Sequence, residues 1–396
     1  MPLDIAYGLP FYDPATQFGG PIAQVRELSE RLSARGHRVS VVTTDVGVGP
    51  DLPRDRWVER DGYRVWYAHG GRLGSVAPYY ARRLRAPLDQ VAAECDVLHL
   101  ALSFTHLGVL ARRAAAAHGT PFVYAPRACL CPDRLALRPW LKRAFLALFE
   151  RRIIADAAVV HALTEAEREQ VLVQGADPRA VRVITNGATL AERATWPDGA
   201  AFRRRLGIDE RTPLVLHLGR LQKIKGLDVL VDVFARAKRR VPDAVLAVVG
   251  PDEGGVAIVE EHAAKHGVRD AVFLTGHLDG EDKIDAYRAG DLFLLTSFSE
   301  GLPNVVLEAC SCGTPVLITD RCHVPEVAEH GAGRVEPLDA GRLGDALADM
   351  LADPAALARM GENASALAQQ RFRFDALVER LERLYEELRD RAPAAR

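Results

Sequence analysis

The chain has 396 residues, 48% hydrophobic and 26% charged, with a formal net charge of −2, which is room for two cores and the ordinary balance of a soluble globular enzyme. No apolar run approaches the length of a bilayer span, and nothing resembles a nucleic-acid-binding module. The start, MPLDIAYGLPFY, has no basic segment followed by an apolar one, so no signal peptide is expected and the expected compartment is the cytoplasm.

In chain order, residues 3–7 (LDIAY) read as a strand, followed by a loop at Gly19-Gly20 and a helix with Ile22, Val25, Leu28 and Leu32 at helical spacing. Gly36 ends that helix, and residues 38–43 (RVSVVT) form the next strand. Further strands are expected at 97–100, 121–124, 157–161 and 181–185, with Thr164-x-x-Glu167 as a capping box. Asn186-Gly187 is a turn, and residues 187–213 hold no strong strand, so the linker falls there. The plan then repeats about 210 residues on: strand 214–218 (LVLHL), loop Gly219–Gly226, a helix striped by Leu227, Leu230, Val231 and Phe234, then strand 245–249. Strands at 272–275, 292–296 and 315–319 follow. Residues 374–389 are helical in pattern, with Leu377, Leu381 and Leu384 on one face. Strand–loop–helix units of this kind build parallel sheets. The expected architecture is α/β: two Rossmann-like domains facing each other across a cleft. Their bounds are residues 1–190 and 191–373, with 374–396 as a helix packing back toward the first.

Chemistry concentrates in the second half. The loop Gly219-Arg220-Leu221-Gln222-Lys223-Ile224-Lys225-Gly226 joins a strand to a helix and carries three cations, in a chain with only six lysines. Glycine lets backbone approach a ligand, and a helix start attracts anions. Arg220 and Lys225 suit a diphosphate, as planar fork and point charge. Residues 299–309 (SEGLPNVVLEA) place Glu300 in a loop and Glu308 in the second turn of a helix, with Pro303 at its first position and Gly313 at its stop. Two carboxylates also serve glycosidases, but those have no need of a cationic diphosphate loop. The six cysteines, two pairs in C-x-C spacing, fit no zinc pattern and read as free thiols. Residues 1–195 hold 25 basic and 20 acidic side chains and the remainder 26 and 33, so the first half is the one suited to an anionic acceptor or surface, unless the imbalance is incidental.

HLGRLQKIKG and SFSEGLPNVVLEACSCGTPVLITD resemble the donor-site motifs of glycosyltransferase family 4, retaining nucleotide-sugar transferases of the GT-B fold. The order of elements between them, Gly250-Pro251, the Gly19-Gly20 loop, Arg35-Gly36-His37-Arg38-Val39 and Asn186-Gly187 agree, so the resemblance covers nearly the whole chain. It implies transfer of a hexose-type sugar from a nucleotide diphosphate sugar, UDP being the usual base, to a hydroxyl of a glycan, a lipid-linked glycan or a small metabolite. By the same resemblance the first domain takes the acceptor and the second the donor. Arg220 and Lys225 would hold the diphosphate and stabilise the leaving nucleotide, and Glu300 would bond the donor sugar near its reactive carbon. The backbone of Gly301, Leu302, Pro303 and Asn304 would hold sugar hydroxyls and phosphate oxygens, with Gly219 alongside. Glu308 would bond the ribose, and Gly19 and Gly20 would close over the donor from the opposite domain. No cofactor is expected, and no Asp-x-Asp motif argues for a metal.

The first domain departs from the family after the strand at 121–124. Where many members carry a histidine, this chain reads Tyr124-Ala125-Pro126-Arg127-Ala128-Cys129-Leu130, similar to the Pro-Arg-Gly variant of polysaccharide-type members. Arg127 is therefore expected on the acceptor or diphosphate side, with His99 and His106 as the histidines to consider there, ahead of His161 and His277. Residues 134–152 mix Trp140, Leu141, Phe145, Leu148 and Phe149 with six cations. Their expected role is a helix packing its apolar face inward, or else a peripheral contact with the inner face of a membrane. Alternatives to transfer are another GT-B reaction, such as sugar-nucleotide epimerisation or a phosphorylase-like step, and non-catalytic binding of a sugar nucleotide.

Overall fold

A computed structural model describes residues 1–15, 19–70, 80–192 and 195–391. The last five residues of the expected C-terminal helix lie outside the described residues. Contacts divide the chain into two units, Met1–Thr185 with Leu377–Arg396, and Asn186–Ala376.

The first unit holds strands β1 (Asp4–Gly8), β2 (Arg38–Thr44), β3 (Trp57–Glu59), β4 (Arg64–Ala68), β5 (Val97–Ala101), β6 (Phe122–Ala125), β7 (Val159–Ala162) and β8 (Val181–Val183). Among the described residues they form one sheet in the order β3-β4-β2-β1-β5-β6-β7-β8, parallel except for β3 on β4. Its helices are α1 (Gly20–Ala34), α2 (Arg85–Glu94), α3 (His106–His118), α4 (Pro132–Ala136), α5 (Pro139–Phe145), α6 (Arg151–Asp156) and α7 (Glu165–Val173). The central strands are continuous apolar runs because helices cover both faces of a parallel sheet; β5, VLHLA, is buried throughout. The edge pair β3–β4 escapes sequence reading because neither strand has such a run: Trp57, Val58, Arg64 and Trp66 are only half-buried.

The second unit holds α8 (Ala200–Leu206), β9 (Leu214–Leu218), α9 (Leu227–Lys238), β10 (Val245–Val249), α10 (Val256–Lys265), β11 (Val272–Gly276), α11 (Gly280–Ala289), β12 (Leu292–Leu295), α12 (Asn304–Ser311), β13 (Val316–Thr319), α13 (Glu326–Glu329), β14 (Gly333–Glu336), α14 (Ala340–Leu351) and α15 (Pro354–Arg371). Its strands run parallel in the order β11-β10-β9-β12-β13-β14. The order reverses at β9 and β12, so the crevice at their carboxyl ends is where a ligand is expected in a doubly wound sheet. The last helix, α16 (Phe374–Arg391), returns to the first unit from Leu377 onward.

Three local expectations need correction. Pro303 is the N-cap of α12 rather than its first residue, with φ −75° and ψ 109°, and the helix begins at Asn304. The capping box is half made: Thr164 Oγ1 accepts from Glu167 N at 3.1 Å, but the Glu167 carboxylate accepts from Leu163 N and Ala128 N at 2.7 and 2.6 Å. The turn after β6 needs an acceptor, and Glu167 supplies it. Finally, residues 134–152 are not one inward-facing helix. A residue before proline avoids the α region, and Arg138 takes φ 54° before Pro139, so α4 ends and α5 starts afresh. Trp140 is left 73% exposed and Leu148 55%, while Leu146 is buried.

Candidate active site

The site is built at the carboxyl ends of β9 and β12, adjacent strands of the second unit. After β9 the chain turns through Gly219–Gly226, with a 3-10 turn at Lys223–Lys225. Backbone bonds tie this loop to both neighbours. Leu221 N donates to Pro251 O and Glu253 N to Leu221 O, each at 2.9 Å. On the other side Phe298 N donates to Ile224 O at 2.9 Å, and Thr296 Oγ1 to Gly226 O at 2.9 Å. Gly226 has φ 64°, and a Cβ there would meet Thr296 O at 2.2 Å. Only glycine allows that approach, so the two loops sit against each other because of it.

This seam brings Lys225 to Glu300. The ammonium lies 2.6 Å from Glu300 Oε1, and Ser297 Oγ donates to the same oxygen at 2.6 Å. Both charged side chains are 14% exposed, so the pair is sheltered yet reachable. Arg220 holds Glu253 at 3.2 Å through both carboxylate oxygens. Glu300 is followed by the turn Gly301-Leu302-Pro303 and the start of α12, where Asn304 Oδ1 accepts from Asn186 at 2.9 Å. Leading N–H groups of a helix lack intrahelical partners and favour anions.

Glu308, one turn further along α12, is held by two groups on α11. Lys283 Nζ lies 2.7 Å from Oε1, and Tyr287 OH donates to Oε2 at 2.8 Å. A carboxylate offers about four lone-pair positions, so Glu308 keeps acceptor capacity for a pair of hydroxyls. His217 on β9 is fully buried and donates from Nδ1 to Leu294 O at 3.1 Å. Burial pushes its pKa down to about 4, so it is a neutral strut between β9 and β12. Lys283, Tyr287, Ser297 and Glu253 were not singled out from sequence. For Lys283 the scarcity of lysine was a usable signal; for the other three there was none.

In the first unit Gly19 is the N-cap of α1, with φ 85° and ψ −150°, and Gly20 is its first residue. Arg127 and Ala128 follow β6, both in left-handed conformation at φ 55° and 61°. His99 is buried, and Tyr385 OH on α16 lies 2.6 Å from its Nδ1. The bond network fixes its direction. His161 Nε2 lies 2.8 Å from Ile184 O, a carbonyl that only accepts, so that nitrogen carries the proton. His161 Nδ1 must then accept from His99 Nε2, 3.3 Å away, His99 Nδ1 from Tyr385, and Tyr385 from Tyr7 OH at 3.0 Å. Both imidazoles are neutral donors and acceptors in a closed chain. Burial holds the pKa of His99 well below the usual range and pushes that of His161 down to about 3. His106 opens α3, stacks on Tyr80 at 4.4 Å between ring centres, and has its pKa lowered by burial and by Arg113.

Sequence comparison gives two family matches: residues 198–367 fit the Glycosyl transferases group 1 model and residues 19–187 the Glycosyl transferase 4-like domain. A D-inositol 3-phosphate glycosyltransferase of Thermobispora bispora is 33% identical over 408 residues, covering 96% of this chain and 93% of the relative. One from Gordonia bronchialis is 30% identical, covering 93% and 84%. Among solved structures, Alr3699/HepE of Anabaena in complex with UDP and glucose superposes with a TM-score of 0.77 at 23% identity, covering 97% of this chain and 99% of that one. At that identity the likeness speaks for the fold.

Proposed function

The chain belongs to the GT-B glycosyltransferases of the family 4 type, and on that premise we propose that it transfers a hexose from a UDP-sugar to an acceptor hydroxyl with retention of configuration and without a catalytic metal. The observation that carries this reading is the Lys225–Glu300 pair, 2.6 Å apart at a strand edge beside the start of α12. Breaking the sugar–phosphate bond leaves negative charge on the diphosphate and positive character on the sugar carbon. Lys225, Arg220 and the helix start offer positive charge for the first, where preorganised groups act most strongly. Glu300 serves the sugar, accepting from a hydroxyl near the reactive carbon. Gly219 and the backbone of Gly301–Asn304 complete the cradle for phosphate and sugar oxygens. Glu308, with both oxygens already oriented by Lys283 and Tyr287, takes the two ribose hydroxyls. Attack from the face the nucleotide leaves gives retention.

Arg127 lies at the carboxyl edge of β6, where a guanidinium suits an anionic acceptor and cannot act as a base. His99 is a structural histidine, since its ring is spent on Tyr385 and His161. Because the relatives are D-inositol 3-phosphate glycosyltransferases, a phosphorylated polyol is the first acceptor to test, ahead of glycans and lipid-linked glycans. Exposed Trp140, Leu137 and Leu148 among six cations support a peripheral membrane contact for a lipid-linked one; among the described residues no helix is long and apolar enough to cross a membrane. The deciding experiment is thermal stabilisation by UDP-, GDP-, ADP- and TDP-sugars, then NMR of the product anomer with and without EDTA. UDP selectivity, a retained anomer and full activity in EDTA support the reading. An inverted product or an activity abolished by EDTA and restored by a divalent ion overturns the corresponding part.

A further inference from the structure

Away from the strand edges, α9 and α10 pack side by side in the second unit, with Asp232 on the first and His262 and His266 on the second. Residues four apart on a helix share a face, one turn above the other. His262 Nδ1 and His266 Nε2 each lie 2.8 Å from the same oxygen, Asp232 Oδ1, and the three donor atoms fall within 4.8 Å of one another. The side chains are 20%, 24% and 31% exposed, which leaves the cluster both held and open to solvent.

We propose that Asp232, His262 and His266 form a binding site for a divalent transition metal, zinc above all. Two imidazole nitrogens and one carboxylate oxygen are a donor set for zinc, nickel or copper; magnesium and calcium want oxygen throughout. Tetrahedral zinc with bonds of about 2.0–2.1 Å separates its ligand atoms by roughly 3.3 Å. Each imidazole needs to back away from Asp232 by about half an ångström, which side-chain rotation supplies. Each ring then turns a lone pair to the metal in place of its N–H. A ligating imidazole carries its proton on the other ring nitrogen, Nε2 in His262 and Nδ1 in His266. A water completes the fourth position.

The metal ties α10 to α9, the helix that leaves the Lys223–Lys225 turn. Its role is structural and lies outside sugar transfer. The test uses the whole chain, stripped with a chelator and dialysed, then titrated with Zn2+ by calorimetry and Co2+ by visible absorption. One equivalent should bind with a tetrahedral Co2+ spectrum free of thiolate charge transfer, and Zn2+ should raise Tm. His266→Gln and Asp232→Asn should each weaken Zn2+ at least tenfold and abolish the Tm rise, with transfer rates within twofold of wild type. Absence of saturable binding, equal binding by both variants or a thiolate-type spectrum would overturn the site. A tenfold loss of transfer in metal-free wild type would overturn its purely structural role.

Discussion

Replacing Lys225 by methionine should separate what the Lys225–Glu300 pair does for folding from what it does for catalysis. Breaking a fully buried pair costs about 3–5 kcal/mol, because the remaining charge loses its partner. Here both side chains are 14% exposed and Ser297 still donates to Glu300, so about 1–3 kcal/mol is the expected loss. For a unit of this size that lowers Tm by roughly 2–10 °C. The catalytic loss is larger. A cation about 4 Å from a developing charge, at an effective dielectric of about 20, contributes ~4 kcal/mol, or roughly a thousandfold in turnover. Adding Glu300→Gln to Lys225→Met removes the stranded charge, so the double variant should regain stability to within about 1 kcal/mol while remaining inactive. Thermal unfolding and initial rates with a UDP-sugar read the two effects separately. Turnover above a tenth of wild type in Lys225→Met, or recovered activity in the double variant, would refute the reasoning.

Tyr287→Phe and Lys283→Met each loosen Glu308 without touching the reacting carbon, so they should raise the donor KM about tenfold, with kcat within about threefold; a fall in kcat at unchanged KM contradicts this. Tyr385→Phe leaves His99 Nδ1 without its donor and Tyr7 without its acceptor, a loss of about 2–4 kcal/mol measurable by urea unfolding. A loss below about 0.5 kcal/mol would mean that the chain of bonds is not as drawn. His99 and His161 also make the first unit acid-sensitive. Their folded pKa values lie below the unfolded value of about 6.5, so below that pH the unfolded chain binds more protons and stability falls with pH. The loss is fully absent above about pH 6.5 and grows by up to ~1.4 kcal/mol per pH unit for each histidine, toward the value of about 3 for His161. Unfolding curves that coincide at pH 7 and pH 5 would contradict it.

The parallel sheets were legible because their central strands are short runs of Val, Leu and Ile separated by glycine-marked turns. Strand 214–218 and strand 245–249 carry the same bounds in sequence and structure. The edge strand β3 and its neighbour β4 were not, since β3 has three residues, none of them buried, and in β4 half-buried Arg64 and Trp66 interrupt the buried residues. The motif residues Arg220, Lys225, Glu300 and Glu308 stand in one unit at the edge of one sheet, and their spacing along the chain reflects strand order. What sequence cannot carry is the partner of each charge. Glu308 is oriented from α11, and His99 is occupied by a tyrosine 286 positions away. Such pairings depend on which faces the fold brings together. The segment 134–152 shows the same limit: its periodicity describes an inward face, but Pro139 resets the helix and turns Trp140 outward.

The most direct measurement is the turnover of Glu300→Gln alongside its affinity for UDP. Gln keeps the side chain's shape and removes the negative charge that the proposed mechanism places against the donor sugar. UDP should bind within about threefold of wild type while transfer falls at least a hundredfold. Wild-type turnover with that carboxylate removed would contradict the assignment of Glu300 to the reacting sugar.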